Sequence, residues 1–204
     1  MGQREGAGAL TYDPQKRRRR SIRLKGYDYA QAGAYFVTIC TQERACLFGQ
    51  VVDGEMRMNH AGEIVAACWE EIAAHFPNAI SDIVVVMPNH VHGIVFVGAR
   101  HAVPLHHHDT KPFGKPVSGS LPTVIRSFKS AAAKRINVWR GTPGMAVWQR
   151  NYHEHIIRDE RSLELIRAYI SQNPLQWELD RENPIRVETT TRPADMRKSE
   201  PWRI

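Results

Sequence analysis

The chain has 204 residues and is 42% hydrophobic, which suits one hydrophobic core rather than two. Its 28 Lys and Arg residues exceed its 21 Asp and Glu residues, so the formal net charge is +7 and polyanions are favoured partners. No apolar stretch reaches the roughly 18 residues of a membrane span, and no apolar segment follows the N-terminal charges as in a secretory signal. The 3 cysteines form neither an even disulfide set nor a zinc pattern. We therefore expect a cytoplasmic protein without a membrane partner.

Composition divides the chain into a folded domain and two flanking segments. Residues 1–24 lack hydrophobic periodicity and are predicted to form a flexible basic arm that contains the run KRRRR. Residues 25–178 are predicted to form the domain, interrupted at 99–119 by an inserted loop rich in His, Pro and Gly. Residues 179–204 are predicted to be a polar C-terminal tail. The basic arm is suited to phosphate binding, although a tail that only aids solubility would have the same composition.

The hydrophobic pattern predicts strands and helices in alternation. The β-branched segment AYFVTICTQ predicts a strand, and ACLFGQVVDG predicts its hairpin partner. Apolar residues at four-residue spacing in NHAGEIVAACWEEIAAHFPN predict an amphipathic helix. Two strands, a second helix, a strand candidate and a last helix follow, over DIVVVMP, HVHGIVFVG, LPTVIRSFKSAAAKRI, MAVWQRNYHEHII and DERSLELIRAYISQNP. This order predicts an α+β fold of the ferredoxin-like type, with an antiparallel sheet and helices packed on one face.

Two histidines, His90 and His92, interrupt one of the predicted strands. Side chains two positions apart in a strand lie on the same face, about 7 Å apart along the backbone, so both imidazoles point the same way. Neutral imidazoles placed in this way can bind a metal ion with further ligands from elsewhere, and two hydrogen-bonded, half-buried histidines would give the same pattern. Gly93, the next residue, permits the close approach of a ligand or another backbone.

The neighbouring residues exclude two of the enzyme classes that use a His-hydrophobic-His motif. A histidine-triad hydrolase needs a third histidine where this chain has Ile94, and a phosphodiesterase with two His-x-Thr motifs needs a pair that this chain lacks. The HUH nuclease pattern remains, in which the two histidines are partnered by a tyrosine nucleophile on a helix. Tyr152 and Tyr169 are the candidates. Tyr169 shares a helix face with Asn173, although it would also suit the edge of a core, and Tyr152 directly precedes a second His-x-His sequence, at His153 and His155.

Four segments follow one another between Arg23 and Trp177: RLKGYDYAQAGAYFVTICTQERACLFG, MPNHVHGIV, VWQRNYHEHIIRDE and LIRAYISQNP. Together they resemble the REP-associated tyrosine transposases, within the superfamily of HUH insertion-sequence transposases that have a single catalytic tyrosine. The segments also occur in that family's order. The resemblance implies a ferredoxin-like catalytic domain, in agreement with the order of strands and helices.

The resemblance also implies the roles of individual residues. Tyr169, in the helix that ends in NP, matches the catalytic tyrosine, and Asn173 matches the third metal ligand beside His90 and His92, with Gln172 as the alternative. The implied cofactor is Mg²⁺ or Mn²⁺. The implied substrate is single-stranded or hairpin-forming repetitive palindromic DNA, cleaved through a covalent 5′-phosphotyrosine, and the family favours a monomer over a homodimer. The absence of a GxxxxGK[ST] loop fits strand joining without ATP.

Two other functions would fit the same motifs. A non-cleaving, domesticated protein that binds hairpin DNA would keep the same motifs, as would a Rep-type or relaxase-type HUH nuclease. Nucleases of the latter type are usually larger and attached to helicase or primase domains, for which we expect no room in this chain.

Basic side chains are expected to contact the DNA backbone. The expected DNA contacts are Arg17, Arg18, Arg19, Arg20, Arg23, Arg126, Lys129 and Arg150.

Overall fold

The computed structural model describes residues 28–29, 31–98 and 117–184. The predictions for the basic arm, with Arg17 to Arg20 and Arg23, and for most of the inserted loop lie outside these residues. The strands are β1 (Gly33–Cys40), β2 (Gly49–Val52), β3 (Glu55–Met58), β4 (Ala79–Val86), β5 (His90–Val97) and β6 (His153–Ile157). The helices are α1 (His60–Glu70), α2 (Ile72–His75), α3 (Leu121–Arg140) and α4 (Glu160–Gln172), with 3₁₀ helices at Gln42–Arg44 and Pro174–Leu179. None of the helices in the described ranges has the length and apolar character that a bilayer crossing requires.

Four strands form one antiparallel sheet in the order β4-β5-β1-β6, and β2 and β3 form a separate hairpin. The central strands β5 and β1 are almost entirely buried, as expected for strands that are covered on both faces. The chain passes through the main sheet as β1, helix, β4, β5, helix, β6, which is the split βαβ arrangement. The predicted α+β class of ferredoxin-like type is therefore confirmed.

Different helices pack on the two faces of the sheet. Neighbouring residues of a strand point to opposite faces. Tyr35 of β1 belongs to the main core together with Trp69 of α1 and Phe128 of α3, whose rings meet edge to face at 5.2 Å. The adjacent Phe36 belongs to a second cluster, with Ile94 of β5 and the apolar residues of α4. Helices α1 and α3 thus share one face, whereas α4 covers the other, so the predicted packing of the helices on one face holds for α1 and α3 but not for α4.

The last strand is shorter than its sequence pattern. The apolar and β-branched residues of MAVWQRNYHEHII predict a strand over 145–157, but the continuous pairing with β1 is limited to His153–Ile157, and Trp148 makes an isolated bridge to Thr41. The preceding carbonyls have a different partner, because the Lys129 ammonium donates to Gln149 O at 2.7 Å and to Arg150 O at 3.1 Å. The strand pattern does not reveal this contact, since it comes from α3.

Helix α4 begins and ends as its sequence predicts. The Asp159 carboxylate accepts a hydrogen bond from the backbone N–H of Ser162 at 2.8 Å, which caps the first turn. The helix ends at Gln172, and the chain continues from Pro174 as a 3₁₀ helix. The C-terminal end of α4 therefore lies near the first residues of β5, where the histidine pair is located.

Candidate metal and nucleophile site

The histidine pair lies on β5, on the face of the sheet that α4 covers. The rings of His90 and His92 are 4.5 Å apart, and their side chains are 0% and 3% exposed. Each ring has one nitrogen held by a neighbour. His90 Nδ1 is 2.9 Å from Asn89 Oδ1, and His92 Nδ1 is 2.9 Å from Thr38 Oγ1 of β1. These contacts occupy the two Nδ1 atoms, so the Nε2 atom of His92 faces Tyr169 of α4 and that of His90 faces Asp180, which follows the helix.

Gly93 lies on the opposite face of β5 from His90 and His92. A Cβ atom at this position would overlap the indole of Trp69, which packs against the strand from α1. The close approach that the sequence predicts at Gly93 therefore exists, and the approaching group is a core tryptophan rather than a ligand or a backbone. The back of the histidine site is consequently the main hydrophobic core.

The structure brings Tyr169 and Asn173 to the histidine pair. The Tyr169 hydroxyl is 3.5 Å from His92 Nε2, and its ring meets Phe36 edge to face at 6.0 Å. Asn173 is 2% exposed. Its Nδ2 donates to an oxygen of Asp180 at 3.3 Å, and its Oδ1 has no hydrogen-bond partner within the described part of the chain.

Sequence reasoning missed Asp180, which follows the last helix. His90, His92 and Asp180 each present a ligand atom, and these atoms lie within 4.8 Å of one another, so the group could hold a metal ion. Asp180 Oδ1 accepts from the backbone N–H of Glu182 at 2.7 Å, which fixes the carboxylate. The sequence offers only the acidic character of WELDRE, and residue 180 falls within the predicted polar tail. That domain boundary stays a prediction.

Residues 174–182, the covering segment, lie over the histidines. The ring of Trp177 is 6.0 Å from that of His90. Glu182 anchors the segment, because its buried carboxylate forms an ion pair with Arg44 at 3.0 Å and accepts from the Cys40 thiol at 3.4 Å. The backbone carbonyl of Glu182 also accepts from Asn89 Nδ2 at 2.6 Å.

Burial controls the ionisation of the site. It lowers the pKa of His90, while the carboxylates of Asp180 and Glu182 oppose this shift. The polar side chain of Asn173 also opposes the lowering of the His90 pKa. Burial lowers the pKa of His92 well below its usual value, and the neighbouring His90 adds to the effect. Both rings are therefore neutral at neutral pH, which is the form that binds metals.

The remaining candidates are distributed over other surfaces. Arg126 of α3 and Arg150 are exposed, whereas Lys129 is partly buried and hydrogen-bonded to backbone carbonyls. Tyr152, the rival nucleophile, is buried in the main core. His153 of the second His-x-His sequence pairs with Thr38, so it lies on the same face as His92 with one strand between them.

Comparisons with known proteins agree with this fold. No protein-family model matches the chain. A Haemophilus influenzae protein described as "Uncharacterized protein" is 42% identical over 168 residues, which cover 79% of this chain and 91% of that protein. A second protein of that organism, "Putative REP-associated tyrosine transposase", is 24% identical over 73% of this chain and 74% of its own length. The structure of a REP-associated tyrosine transposase bound to a REP hairpin superposes with a TM-score of 0.50 at 18% identity, over 77% of this chain and 74% of that one.

The fold is that of the REP-associated tyrosine transposase structure, and the second Haemophilus influenzae protein carries the name of that family, so the resemblance drawn from the four segments is confirmed. The chain belongs to the same family as the 42% identical Haemophilus influenzae protein.

Proposed function

We propose that the protein is a metal-dependent endonuclease and strand transferase that acts on single-stranded DNA through a covalent 5′-phosphotyrosine. One observation carries the proposal: the Tyr169 phenol lies 3.5 Å from the imidazole of His92, in a cluster that also contains His90 and Asn173. Four residues from a strand and a helix that are far apart in sequence converge there. A tyrosine nucleophile beside potential metal ligands is the arrangement that HUH chemistry requires.

The donor atoms of the cluster fit a divalent cation. His90 Nε2 and Asn173 Oδ1 are buried without hydrogen-bond partners among the described residues, and Asp180 adds a carboxylate. His90, His92 and Asn173 would hold Mg²⁺ or Mn²⁺, with Asp180 as a further or alternative ligand. A bound cation would polarise the scissile phosphate and neutralise charge that develops on it.

In the proposed reaction the Tyr169 oxygen forms a bond to phosphorus, and the bond from phosphorus to the 3′ oxygen breaks. The phenol loses its proton, and the departing 3′ oxygen gains one to become a hydroxyl. A phenol has a pKa of about 10, so it needs help to ionise at neutral pH. The phenol oxygen lies 3.5 Å from His92 Nε2, so a cation held by this nitrogen would lie beside the phenol and would favour its ionised form, with the proton passing to solvent.

The proposed substrate is hairpin-forming repetitive palindromic DNA, and the proposed unit is a monomer. The similar transposase structure was solved with a REP hairpin, which supports this class of substrate. The net charge of +7 favours a phosphate backbone. Arg126 and Arg150 are exposed cations of the described residues, and we assign them backbone contacts together with Arg17 to Arg20 and Arg23.

Covalent trapping tests the reaction. The full chain is incubated with labelled single-stranded DNA from its own genomic flanks and Mg²⁺ or Mn²⁺, then run on a denaturing gel. We expect a protein–DNA adduct that Tyr169→Phe abolishes and that Tyr152→Phe, the matched control, leaves within about twofold, because Tyr169, and not Tyr152, lies at the histidine pair. An adduct that survives Tyr169→Phe but not Tyr152→Phe would assign the nucleophile to the other tyrosine and refute the proposal as stated.

A second candidate function is hairpin-DNA binding without cleavage. The covering segment favours it, because His90 is 0% exposed and a phosphate cannot reach its ring while Trp177 and Asp180 stay in place. The trapping experiment separates the two functions. Tight binding of a hairpin with no adduct, with either metal, would support the non-cleaving protein.

A further inference from the structure

We propose that Asn89 is a positioning residue that determines which nitrogen of His90 faces the metal site, an inference that rests on the proposed metal-dependent function. Asn89 lies in the turn between β4 and β5 and is 0% exposed. Its side-chain amide makes three hydrogen bonds, one to His90 and two to backbone carbonyls.

The two carbonyls determine the orientation of the Asn89 amide. One amide atom lies 3.1 Å from the carbonyl oxygen of Arg44 and 2.6 Å from that of Glu182. Carbonyl oxygens only accept hydrogen bonds, so this atom must be the NH₂ nitrogen. The amide oxygen therefore faces His90, whose Nδ1 is 2.9 Å away.

This orientation determines the tautomer of His90. The Asn89 oxygen can only accept, so His90 Nδ1 carries the proton and donates it. A neutral imidazole has a single N–H, so Nε2 presents its lone pair to the space beneath α4. That nitrogen has no hydrogen-bond partner among residues 28–29, 31–98 and 117–184, and the Asp180 oxygen at 4.0 Å is beyond hydrogen-bond distance. A buried lone pair of this kind is set up for a cation.

The two carbonyls that accept from Asn89 belong to different parts of the structure. Arg44 belongs to the 3₁₀ helix after β1, whereas Glu182 belongs to the covering segment. If the covering segment moves away to admit DNA, Asn89 loses the bond to Glu182 and keeps the bond to Arg44. The amide then keeps its orientation, so the tautomer of His90 is the same with the site covered or open.

The test measures the tautomer of His90 in the metal-free full chain from its ring ¹⁵N chemical shifts. We expect the Nδ1–H form in the wild type and a shift toward Nε2–H in Asn89→Ala. Asn78→Ala is the matched control, because Asn78 donates to a backbone carbonyl of Gly119 at 3.0 Å, away from the site. It should leave the tautomer unchanged. An Nε2–H tautomer in the wild type would overturn the inference, whether or not the variants fold.

Mn²⁺ binding, followed by electron paramagnetic resonance titration, is the second readout. Loss of a residue that orients a metal ligand weakens metal binding about 10-fold to 100-fold, which we expect for Asn89→Ala and not for Asn78→Ala. Unchanged Mn²⁺ affinity in a folded Asn89→Ala protein would overturn the positioning role. Failure of the wild type to bind Mn²⁺ would count against the proposed function alone, since the tautomer is measured without metal.

Discussion

Lys129 has an ammonium within hydrogen-bond distance of three backbone carbonyls, those of Gln149, Arg150 and Asn151. The sequence makes it one cation among several on a helix with a basic face, and this pattern predicts a DNA contact. All three N–H donors have partners inside the protein. The main effect we infer for Lys129 is to hold the residues that lead into β6.

The ionisation of Lys129 gives a prediction for stability. Burial lowers its pKa from 10.5 to about 8, so between these values the unfolded chain binds more protons than the folded one. The free energy of unfolding of the wild type, relative to Lys129→Met, should therefore rise from pH 8 to pH 10 by on the order of 1 kcal/mol, after allowance for partial exposure. Urea unfolding at each pH measures this difference. Lys134→Met, at an exposed position of α3, should show no such trend, and a flat difference for Lys129→Met would contradict the prediction.

Gly93 gives a second prediction at the scale of one residue. In Gly93→Ala, the new methyl group overlaps the Trp69 indole, so strand and helix must separate. Overpacking of this kind costs about 1–3 kcal/mol, and the shift of β5 should also weaken Mn²⁺ binding at the adjacent His92. Thermal unfolding and metal titration measure the two effects. Adding Trp69→Phe, which removes the overlapping ring, should recover part of the stability; no recovery would place the strain elsewhere.

At the scale of elements, the site combines a rigid part and a part held by contacts. The histidines belong to a central strand with neighbours on both sides, whereas Tyr169 and Asn173 come from the end of α4. Sequence periodicity was sufficient to put each pair on a common face of its own element. Asp180 could not be found in this way, because its position depends on the turn after Leu179 and on the anchoring of Glu182, and neither has a periodic signal.

The alkylation rate of the Cys40 thiol reports whether the covering segment is docked. Burial, and then the carboxylate of Glu182, raise the pKa of this thiol to about 12. Alkylation near pH 8 should modify the exposed Cys46 first, with Cys40 slower by on the order of 100-fold. Glu182→Gln weakens the anchor to Arg44 and should speed Cys40 modification about tenfold, whereas Glu178→Gln, at an exposed position of the same segment, should not. Mass spectrometry of the alkylated peptides measures both rates. Equal rates for Cys40 and Cys46 in the wild type would show that the segment is not docked in solution.

At the scale of the molecule, the order of strands and helices predicted the fold class, because alternation of period-2 and period-3.6 segments limits the possible topologies. The side of the sheet that each helix covers was harder to predict. Both faces of β1 are apolar, through Tyr35 and Val37 on one side and Phe36 on the other, so the strand pattern accepts a helix on either face. Only the packed structure assigns α4 to the face of the histidines.

The different burial of the site residues has an evolutionary consequence. His90 and His92 are buried in a central strand, so their loss would leave cavities and endanger folding. Tyr169 is only half-buried, at the edge of the smaller cluster, and can be replaced at little cost to the fold. If the proposed cleavage is correct, a lineage that gave it up would therefore lose the tyrosine first and keep the histidines for packing. Among descendants of this chain, the histidine pair would then record ancestry, and the tyrosine would be the better marker of an active nuclease.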